Sequence, residues 1–159
     1  MMRVAILTVS DGVAAGKRED VSGATIAEWA VARGYDVAGR ETVADEPPDI
    51  VRRLVGWADG GAVDLILTTG GTGLAARDLT PEATKAVIER EAPGIAEYMR
   101  FKGAAYIPLA VLSRGVAGVR GATLIVNLPG SVGGVKDGLS ALETIVDHAV
   151  ELLGGKTEH

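Results

Sequence analysis

Cysteine is absent from the 159-residue chain. This excludes disulfide bonds, thiolate zinc sites and cysteine nucleophiles. Histidine is almost as scarce: His148 falls in a predicted C-terminal helix and His159 is the last residue, so neither stands near a glycine-rich segment. A Ser-His-Asp triad and a histidine-bound zinc centre are therefore disfavoured. The chemistry expected of this chain needs neither a protein nucleophile nor an imidazole.

Aromatic residues make up only 4% of the chain, so the core is expected to consist of valine, leucine, isoleucine and alanine. No block of basic residues appears and the net charge is -5, which argues against nucleic acid as a partner. No apolar run is long enough for a membrane span or a signal peptide. We therefore expect a cytoplasmic protein. The negative net charge does not exclude small anionic ligands, because local amides and cations can outweigh it.

Short apolar runs alternate with segments of helical spacing along the chain. Strands are predicted at residues 3–10, 36–43, 63–69 and 122–128, with a strand-like pair around 116–120. Helices are predicted at 22–33, from 47 to about 57, from 80, at 95–102, near 109–113, and as one apolar stripe from 132 to 153. The pattern predicts one α/β domain over residues 1–155, a three-layer domain with a mostly parallel sheet and helices on both faces. Residues 156–159 are predicted to be a disordered tail.

Helix-start signals stand at Ser22, at Thr80 followed by Pro81, and at Ser131. Each of these hydroxyl residues is expected to cap the helix that follows it. Segments 11–21 and 70–79 are predicted to be loops.

Three glycine-containing loops each follow a predicted strand. They lie at 11–12, 70–73 and 129–131, after the apolar runs 4–10, 65–69 and 124–128. If these runs are parallel strands, all three loops leave the same edge of the sheet, where open α/β sheets bind ligands. The sequence therefore predicts one crevice lined by backbone N–H groups, hydroxyls and carboxylates, which suits a phosphorylated substrate.

The Gly-Gly-Thr-Gly segment at 70–73 is the most informative of these loops. Consecutive glycines permit positive φ, and their N–H groups can form an anion-binding nest, although a tight turn alone would also use them. Residues 71–76 also fit G-x-G-x-x-A, the relaxed dinucleotide fingerprint. That fingerprint belongs to the first strand and opens a helix directly, whereas here the next helix is predicted to begin only at Thr80. A dinucleotide-dependent enzyme is the less favoured alternative.

Two carboxylates, Asp45 and Asp78, each lie just beyond a predicted strand and can reach the crevice. With phosphates between them they would suit Mg²⁺, a hard ion that prefers oxygen ligands. Two simpler interpretations stay open. Asp45 can be a turn residue before the prolines that follow, and Asp78 can belong to a turn before the helix or pair with Arg77.

Other candidates are Ser10 and Asp11 at the end of the first strand, where they could bind a nucleotide or a metal. Ser131 can cap the last helix, and that helix N-terminus can also meet a phosphate. Arg114 could pair with an anion or lie on the surface. Phosphoryl or nucleotidyl transfer fits this set, because positioning and charge neutralisation supply most of the catalysis.

These segments resemble the MogA/MoaB family of molybdenum cofactor biosynthesis proteins, whose domain also occurs in gephyrin. The most specific part of the resemblance is Gly-Gly-Thr-Gly at 70–73 together with Arg-Asp-Leu-Thr-Pro-Glu-Ala at 77–83. Four less specific segments also resemble the family and occur in the same order along the chain: residues 7–12, 43–46, 112–114 and 127–131. The chain departs from the family at 74–76, where a proline is often found, and at Val132, after Pro-Gly-Ser.

The resemblance implies a molybdopterin adenylyltransferase, in which the terminal phosphate of molybdopterin attacks the α-phosphate of ATP with Mg²⁺ and pyrophosphate leaves. It also implies a homotrimer whose product is used by a MoeA-type molybdenum-insertion protein. The family's important acids fall on Asp45 and Asp78, which are also the candidate Mg²⁺ ligands. The implied substrate-binding residues are Ser10, Asp11, Gly70, Gly71, Thr72, Gly73, Thr80, Ser113, Pro129, Gly130 and Ser131. The alternative within the family is a non-catalytic, MoaB-type protein that binds or carries molybdopterin.

Overall fold

The computed structural model describes residues 1–156. Its strands are β1 (Arg3–Val9), β2 (Asp36–Val43), β3 (Leu65–Thr69), β4 (Arg90–Glu91), β5 (Ala117–Arg120) and β6 (Thr123–Leu128). Its helices are α1 (Asp11–Ala14), α2 (Val21–Ala32), α3 (Pro47–Asp59), α4 (Thr80–Val87), α5 (Pro93–Ala104), α6 (Val132–Leu142) and α7 (Val146–Leu153). A 3₁₀ helix, Pro108–Leu112, lies between α5 and β5.

The six strands form one sheet in the order β2-β1-β3-β6-β5-β4. The pairs β1–β2, β1–β3 and β3–β6 are parallel, and the short strands β5 and β4 add an antiparallel edge. The central strands β1, β3 and β6 are almost fully buried, as continuous apolar runs are in parallel sheets covered on both faces. The predicted three-layer α/β architecture with a mostly parallel sheet is confirmed.

Side chains of the central strands alternate between two cores, because successive residues of a strand point to opposite faces. Ile6 and Leu67 face a core that includes residues of α2, α5, α6 and α7. Leu7 and Ile66 face a second core built with α3 and α4. Each of these side chains contributes roughly 1.5–3 kcal/mol by leaving water. The strands, and with them the loops at their ends, are therefore fixed from both sides.

The chain passes from β1 to β2 on one side and then returns to place β3 on the other side of β1. The gap between β1 and β3 is thus a topological switch point, where open α/β sheets form a crevice at the carboxyl ends of their strands. Because β1, β2, β3 and β6 are parallel, the loops that follow them all lie at this edge.

Two predicted helix starts are corrected. Helix α2 is capped by Asp20, whose carboxylate accepts a hydrogen bond from the Gly23 amide, and Ser22 lies inside the helix. Asp20 is preferred because Thr8 and Arg40 also bind its carboxylate. Helix α4 includes Thr80 as its first residue.

Two further element predictions were wrong, and one short strand was missed. The predicted loop at 11–21 contains α1, because Ser10 accepts a hydrogen bond from the Val13 amide and caps one helical turn. The short edge strand β4 was missed. The stripe predicted as one helix from 132 to 153 consists of α6 and α7, separated at residues 143–145. The apolar spacing continues across that break, so the pattern did not reveal it.

Within residues 1–156 no helix is both long enough and apolar enough to cross a membrane. His148 is exposed on α7. Apart from Lys156, the predicted tail at 156–159 and its His159 lie outside the described residues.

Candidate active site

Two cavities open at the carboxyl edge of the sheet and share one wall. The first cavity has a volume of about 520 Å³ and the second about 590 Å³. The residues that line both of them are Gly71, Asp78, Gly130 and Ser131. Two ligands bound side by side would therefore meet at the ends of β3 and β6.

The structure brings most of the predicted site residues to these cavities. The first cavity is also lined by Thr72, Gly73, Ser113 and Pro129. The second cavity is also lined by Ser10, Asp45 and Gly70. The prediction that segments distant along the chain share one crevice is confirmed. Two predicted residues, Asp11 and Thr80, line neither cavity.

The glycine loop has the backbone that its sequence predicted. Gly70 and Gly71 adopt φ values of 100° and 67°, in the left-handed region that side chains disfavour. A Cβ atom on Gly70 would lie 2.2 Å from the carbonyl oxygen of Val9, and one on Gly71 would lie 2.3 Å from Oγ1 of Thr80. Both positions require glycine: Gly70 allows the loop to lie close to β1, and Gly71 allows it to lie close to α4.

The same loop does not have the geometry of a dinucleotide fingerprint. It follows β3 rather than β1, and residues 71–79 contain no helix, since α4 begins at Thr80. The fingerprint requires a helix that starts within the glycine segment, so that its N-terminus meets the pyrophosphate. The local structure therefore speaks against the dinucleotide alternative.

Thr80 supports the glycine loop from the protein interior. Its side chain is fully buried, and Oγ1 donates to the carbonyl oxygen of Gly70 at 2.9 Å. The structure therefore gives Thr80 a supporting place in α4 instead of the substrate contact that the sequence indicated.

Arg114 fastens the far side of the loop. Its Nε donates to the carbonyl oxygen of Gly73 at 2.8 Å, its backbone amide donates to Thr72 at 2.8 Å, and its guanidinium also binds the carbonyl of Asp78. An ion pair with Glu82 at 2.6 Å ties the same guanidinium to α4. The carboxylate partner of Arg114 is Glu82, and its side chain is also partly exposed, so the structure shows features of both interpretations that the sequence left open. Its contacts with the backbone of the glycine loop were not foreseen.

Asp45 and Asp11 form two reciprocal hydrogen bonds, in each of which the backbone amide of one residue donates to the carboxylate of the other. The Asp11 amide donates to Oδ2 of Asp45 at 2.9 Å, and the Asp45 amide donates to Oδ1 of Asp11 at 3.0 Å. Burial raises the pKa of Asp45 above its usual value, and the negative charges of Asp11 and Asp78 act in the same direction. A partly desolvated carboxylate beside other carboxylates is an environment that attracts a cation.

Arg77 pairs with Asp11 and Glu46 and not with Asp78. The interpretation of Asp78 as a partner of Arg77 is therefore wrong. The hydrogen bond from Arg77 is the main reason why the pKa of Asp11 is lowered. Oδ2 of Asp78 instead accepts from the Ala75 amide at 3.0 Å, which orients this carboxylate within the loop.

The charges of the second cavity favour a divalent cation as part of its ligand. Three acids line this cavity, namely Glu19, Asp45 and Asp78, and Arg18 is its one cationic lining residue among the described residues. A cation bound with a polyphosphate would offset the repulsion between its phosphates and these carboxylates. Mg²⁺ fits, because it takes one or two protein carboxylates and completes its shell with water and substrate phosphates. The described part of the chain contains no group of three or more His, Cys, Asp or Glu side chains placed to hold a metal ion.

Sequence reasoning missed Asn127 in the first cavity. Its amide nitrogen donates to Oγ1 of Thr68 at 2.9 Å and to Oγ1 of Thr84 at 3.0 Å, and Oδ1 accepts from the Val116 amide at 3.1 Å. A fully bonded, buried amide fixes β6 against β3 and α4. The signal was present as one polar residue inside an otherwise apolar strand run.

The chain matches a known protein family and is similar to a protein of known activity. The profile of a family described as "Probable molybdopterin binding domain" matches residues 5–148. The chain is 40% identical to a molybdopterin adenylyltransferase of Helicobacter pylori over 158 residues, which covers 97% of this chain and 89% of that protein.

The chain is also similar to solved structures of molybdopterin biosynthesis proteins. The molybdopterin biosynthesis enzyme MoaB from Thermus thermophilus superposes with a TM-score of 0.92 at 52% identity, covering 98% of each chain. The molybdopterin biosynthesis Mog protein from Mycobacterium ulcerans superposes with a TM-score of 0.89 at 44% identity, covering 96% of this chain and 99% of that one.

Proposed function

The chain belongs to the family of probable molybdopterin binding domains, and on that premise we propose that it is a molybdopterin adenylyltransferase of molybdenum cofactor biosynthesis. The resemblance to the MogA/MoaB family seen in the sequence is confirmed by these relatives. The observation that carries the proposed reaction is the pair of cavities sharing Asp78, the glycine loop and the Pro-Gly-Ser loop. A transfer between two substrates needs two adjoining binding places with their reacting groups at the common wall.

The nucleotide is assigned to the second cavity and molybdopterin to the first. The second cavity offers Ser10, Arg18 and the carboxylates Asp45 and Asp78, which suit phosphates carried with a divalent cation. The first cavity has apolar walls from Met99, Leu109 and other residues, which suit the faces of a flat ring system. The phosphate of molybdopterin and the α-phosphate of ATP would then meet beside Asp78.

The reaction exchanges one P–O bond for another. An oxygen of the molybdopterin phosphate forms a bond to the α-phosphorus of ATP, and the bond between that phosphorus and the bridging oxygen to the β-phosphate breaks. Adenylylated molybdopterin and pyrophosphate result. The residues of this chain therefore need to align two phosphates and hold charge, and none has to form a covalent intermediate.

Asp45 and Asp78 are the residues that would hold Mg²⁺, which when bound supplies charge neutralisation for the phosphates. The Gly70 amide donates to the carbonyl oxygen of Leu128, so the amides of Gly71, Thr72 and Gly73 are the ones that would donate to anionic oxygens. Ser131 caps α6 by accepting from the Gly134 amide at 3.1 Å, and this orders the helix N-terminus at the common wall. The partial positive charge of that terminus favours a phosphate there.

The function is tested by incubating the protein with molybdopterin and Mg-ATP and measuring released pyrophosphate. Stoichiometric pyrophosphate and an adenylylated pterin product support the adenylyltransferase. Tight molybdopterin binding without pyrophosphate would favour the alternative, a MoaB-type carrier.

A pair of serine variants tests the assignment of substrates to cavities. Ser10→Ala should raise KM for ATP about 3- to 10-fold, the cost of one hydrogen bond, and leave KM for molybdopterin unchanged. Ser113→Ala should do the reverse, because Ser113 lines only the first cavity. Steady-state kinetics with each substrate varied in turn provides the measurement.

The two variants act as controls for one another. Equal effects of each on both KM values would contradict the division. Ser10→Ala also loses the cap of α1, so its melting temperature is recorded alongside.

We further propose that the protein is a cytoplasmic homotrimer that passes its product to a MoeA-type molybdenum-insertion protein. Support for self-association comes from large apolar side chains exposed around the 3₁₀ helix, namely Phe101, Tyr106 and Val111. Exposed apolar groups clustered in one region commonly mark an interface.

Light scattering after size exclusion should give a mass three times that of the chain. Phe101→Glu should shift the protein toward monomer, because a charge would be buried in the interface. Val31→Glu, at an exposed apolar position on α2, is the matched control. A monomeric wild-type protein, or a trimer unaffected by Phe101→Glu, would count against this surface.

A further inference from the structure

We infer that Arg77 is a positioning residue, whose guanidinium holds Asp11 so that Asp11 in turn fixes Asp45 at the second cavity. The activity part of this inference rests on the proposed function. The geometric part does not.

Arg77 joins the loops that follow three different strands. It lies in the loop after β3, while Asp11 is the first residue of α1, just beyond the end of β1, and Glu46 lies between β2 and α3. Its Nε lies 2.7 Å from Oδ2 of Asp11, and its Nη2 lies 3.1 Å from Oδ1 of the same carboxylate. Nη2 also lies 3.0 Å from Oε1 of Glu46. One side chain thus spans the switch point of the sheet.

Asp11 links Arg77 to Asp45, because its carboxylate and its backbone amide both form hydrogen bonds with Asp45. Oδ1 of Asp11, held by Arg77, also accepts from the Asp45 amide at 3.0 Å. The Asp11 amide donates to Oδ2 of Asp45 at 2.9 Å. Asp45 lines the second cavity, whereas Arg77 and Asp11 line neither cavity. Arg77 would therefore act on the reaction through Asp11 and Asp45 and not by contact with a ligand in either cavity.

The strength of these contacts lies in their arrangement. Single ion pairs at a protein surface contribute little to stability, because water and salt screen them. Here a planar guanidinium makes a two-pronged contact with one carboxylate and a further contact with another, a geometry that an ammonium group cannot reproduce. We therefore expect Arg77 to affect the order of the loops more than the stability of the fold.

The test compares Arg77→Ala and Arg77→Lys with Arg52→Ala. Arg52 is a matched control because it also forms an ion pair, with Asp49, but on the exposed surface of α3. The first readout is hydrogen exchange of the Asp11 and Asp45 amides, measured without substrates. Exchange of both should be about 10-fold faster in Arg77→Ala, partly restored in Arg77→Lys and unchanged in Arg52→Ala.

The second readout is the transfer reaction. Arg77→Ala should lower kcat about 10- to 100-fold, since small misplacements of reacting groups have effects of this size. KM for molybdopterin should stay within about twofold, because Asp45 does not line the first cavity. The melting temperature should change little.

Each outcome bears on the inference. Unchanged amide exchange in Arg77→Ala would overturn it, as would faster exchange with wild-type kcat. If Arg77→Ala does not fold, Arg77→Lys carries the same comparison. If the wild-type protein releases no pyrophosphate, the proposed function fails, while the exchange experiment still decides whether Arg77 orders the two aspartates.

Discussion

Asp78→Asn should reduce molybdopterin adenylylation by at least about 10²-fold, the scale observed when one group that stabilises transition-state charge is removed. Asp78 is the only carboxylate among the residues common to both cavities, within the described part of the chain. The amide keeps the shape of the side chain and an oxygen that can accept from the Ala75 amide, but it removes the negative charge that would bind Mg²⁺. Pyrophosphate release at saturating substrates provides the measurement.

Asp78→Ala separates charge from loop geometry. It should abolish transfer as well and leave the fold intact, while also losing the bond to Ala75. The matched control is Asp49→Asn, which removes another half-buried carboxylate, on α3, and should leave transfer unchanged. Turnover by Asp78→Asn near that of the wild type would refute a role for this carboxylate in catalysis.

The sheet and the edge that carries the site could be predicted from sequence for one reason. The strands β1, β3 and β6 are buried on both faces, so they read as continuous apolar runs with little ambiguity. Once they are parallel, their carboxyl ends share an edge, and any polar residue directly after them is placed at one crevice. Ser10 and the glycine loop directly follow β1 and β3 and could be placed at the crevice in this way, and Asp45 could be placed there because it follows β2, which is parallel to β1.

The contacts that hold the site together could not be predicted in the same way. Arg114 reaches Gly73 across 41 residues, and Arg77 reaches Asp11 across 66. Local patterns carry no information about which distant carbonyl or carboxylate will face an arginine. The sequence could therefore place the carboxylates at the crevice but could not show what orients them.

The capping residues illustrate the same limit at short range. Ser22 and Asp20 are both suitable caps for α2, and the choice depends on Thr8 and Arg40, which belong to neighbouring strands. Thr80 was predicted as a cap because its hydroxyl precedes a proline. Its hydroxyl is instead bound to Gly70, a tertiary contact that overrides the local preference.

Gly70→Ala should have the largest effect on stability. The residue adopts φ 100°, and a Cβ atom there would lie 2.2 Å from the backbone oxygen of Val9. A left-handed residue other than glycine costs roughly 1–2 kcal/mol, and overpacking a rigid site adds roughly 1–3 kcal/mol. For a domain of this size each kcal/mol lowers Tm by roughly 2–4 °C, so we expect a fall of about 10 °C. Thermal unfolding followed by circular dichroism provides the measurement.

Gly34→Ala is the matched control, because it separates backbone strain from collision. Gly34 also has a positive φ, 77°, but nothing lies within 4 Å of a Cβ atom built on it. It should therefore lose only the roughly 1–2 kcal/mol of conformational strain and keep full transfer activity. Equal losses in the two variants would mean that the backbone oxygen of Val9 yields freely and that β1 and β3 are not held in rigid contact. A larger loss for Gly70→Ala, accompanied by loss of transfer, is expected because the glycine loop and Ser10, the residue after Val9, border the second cavity.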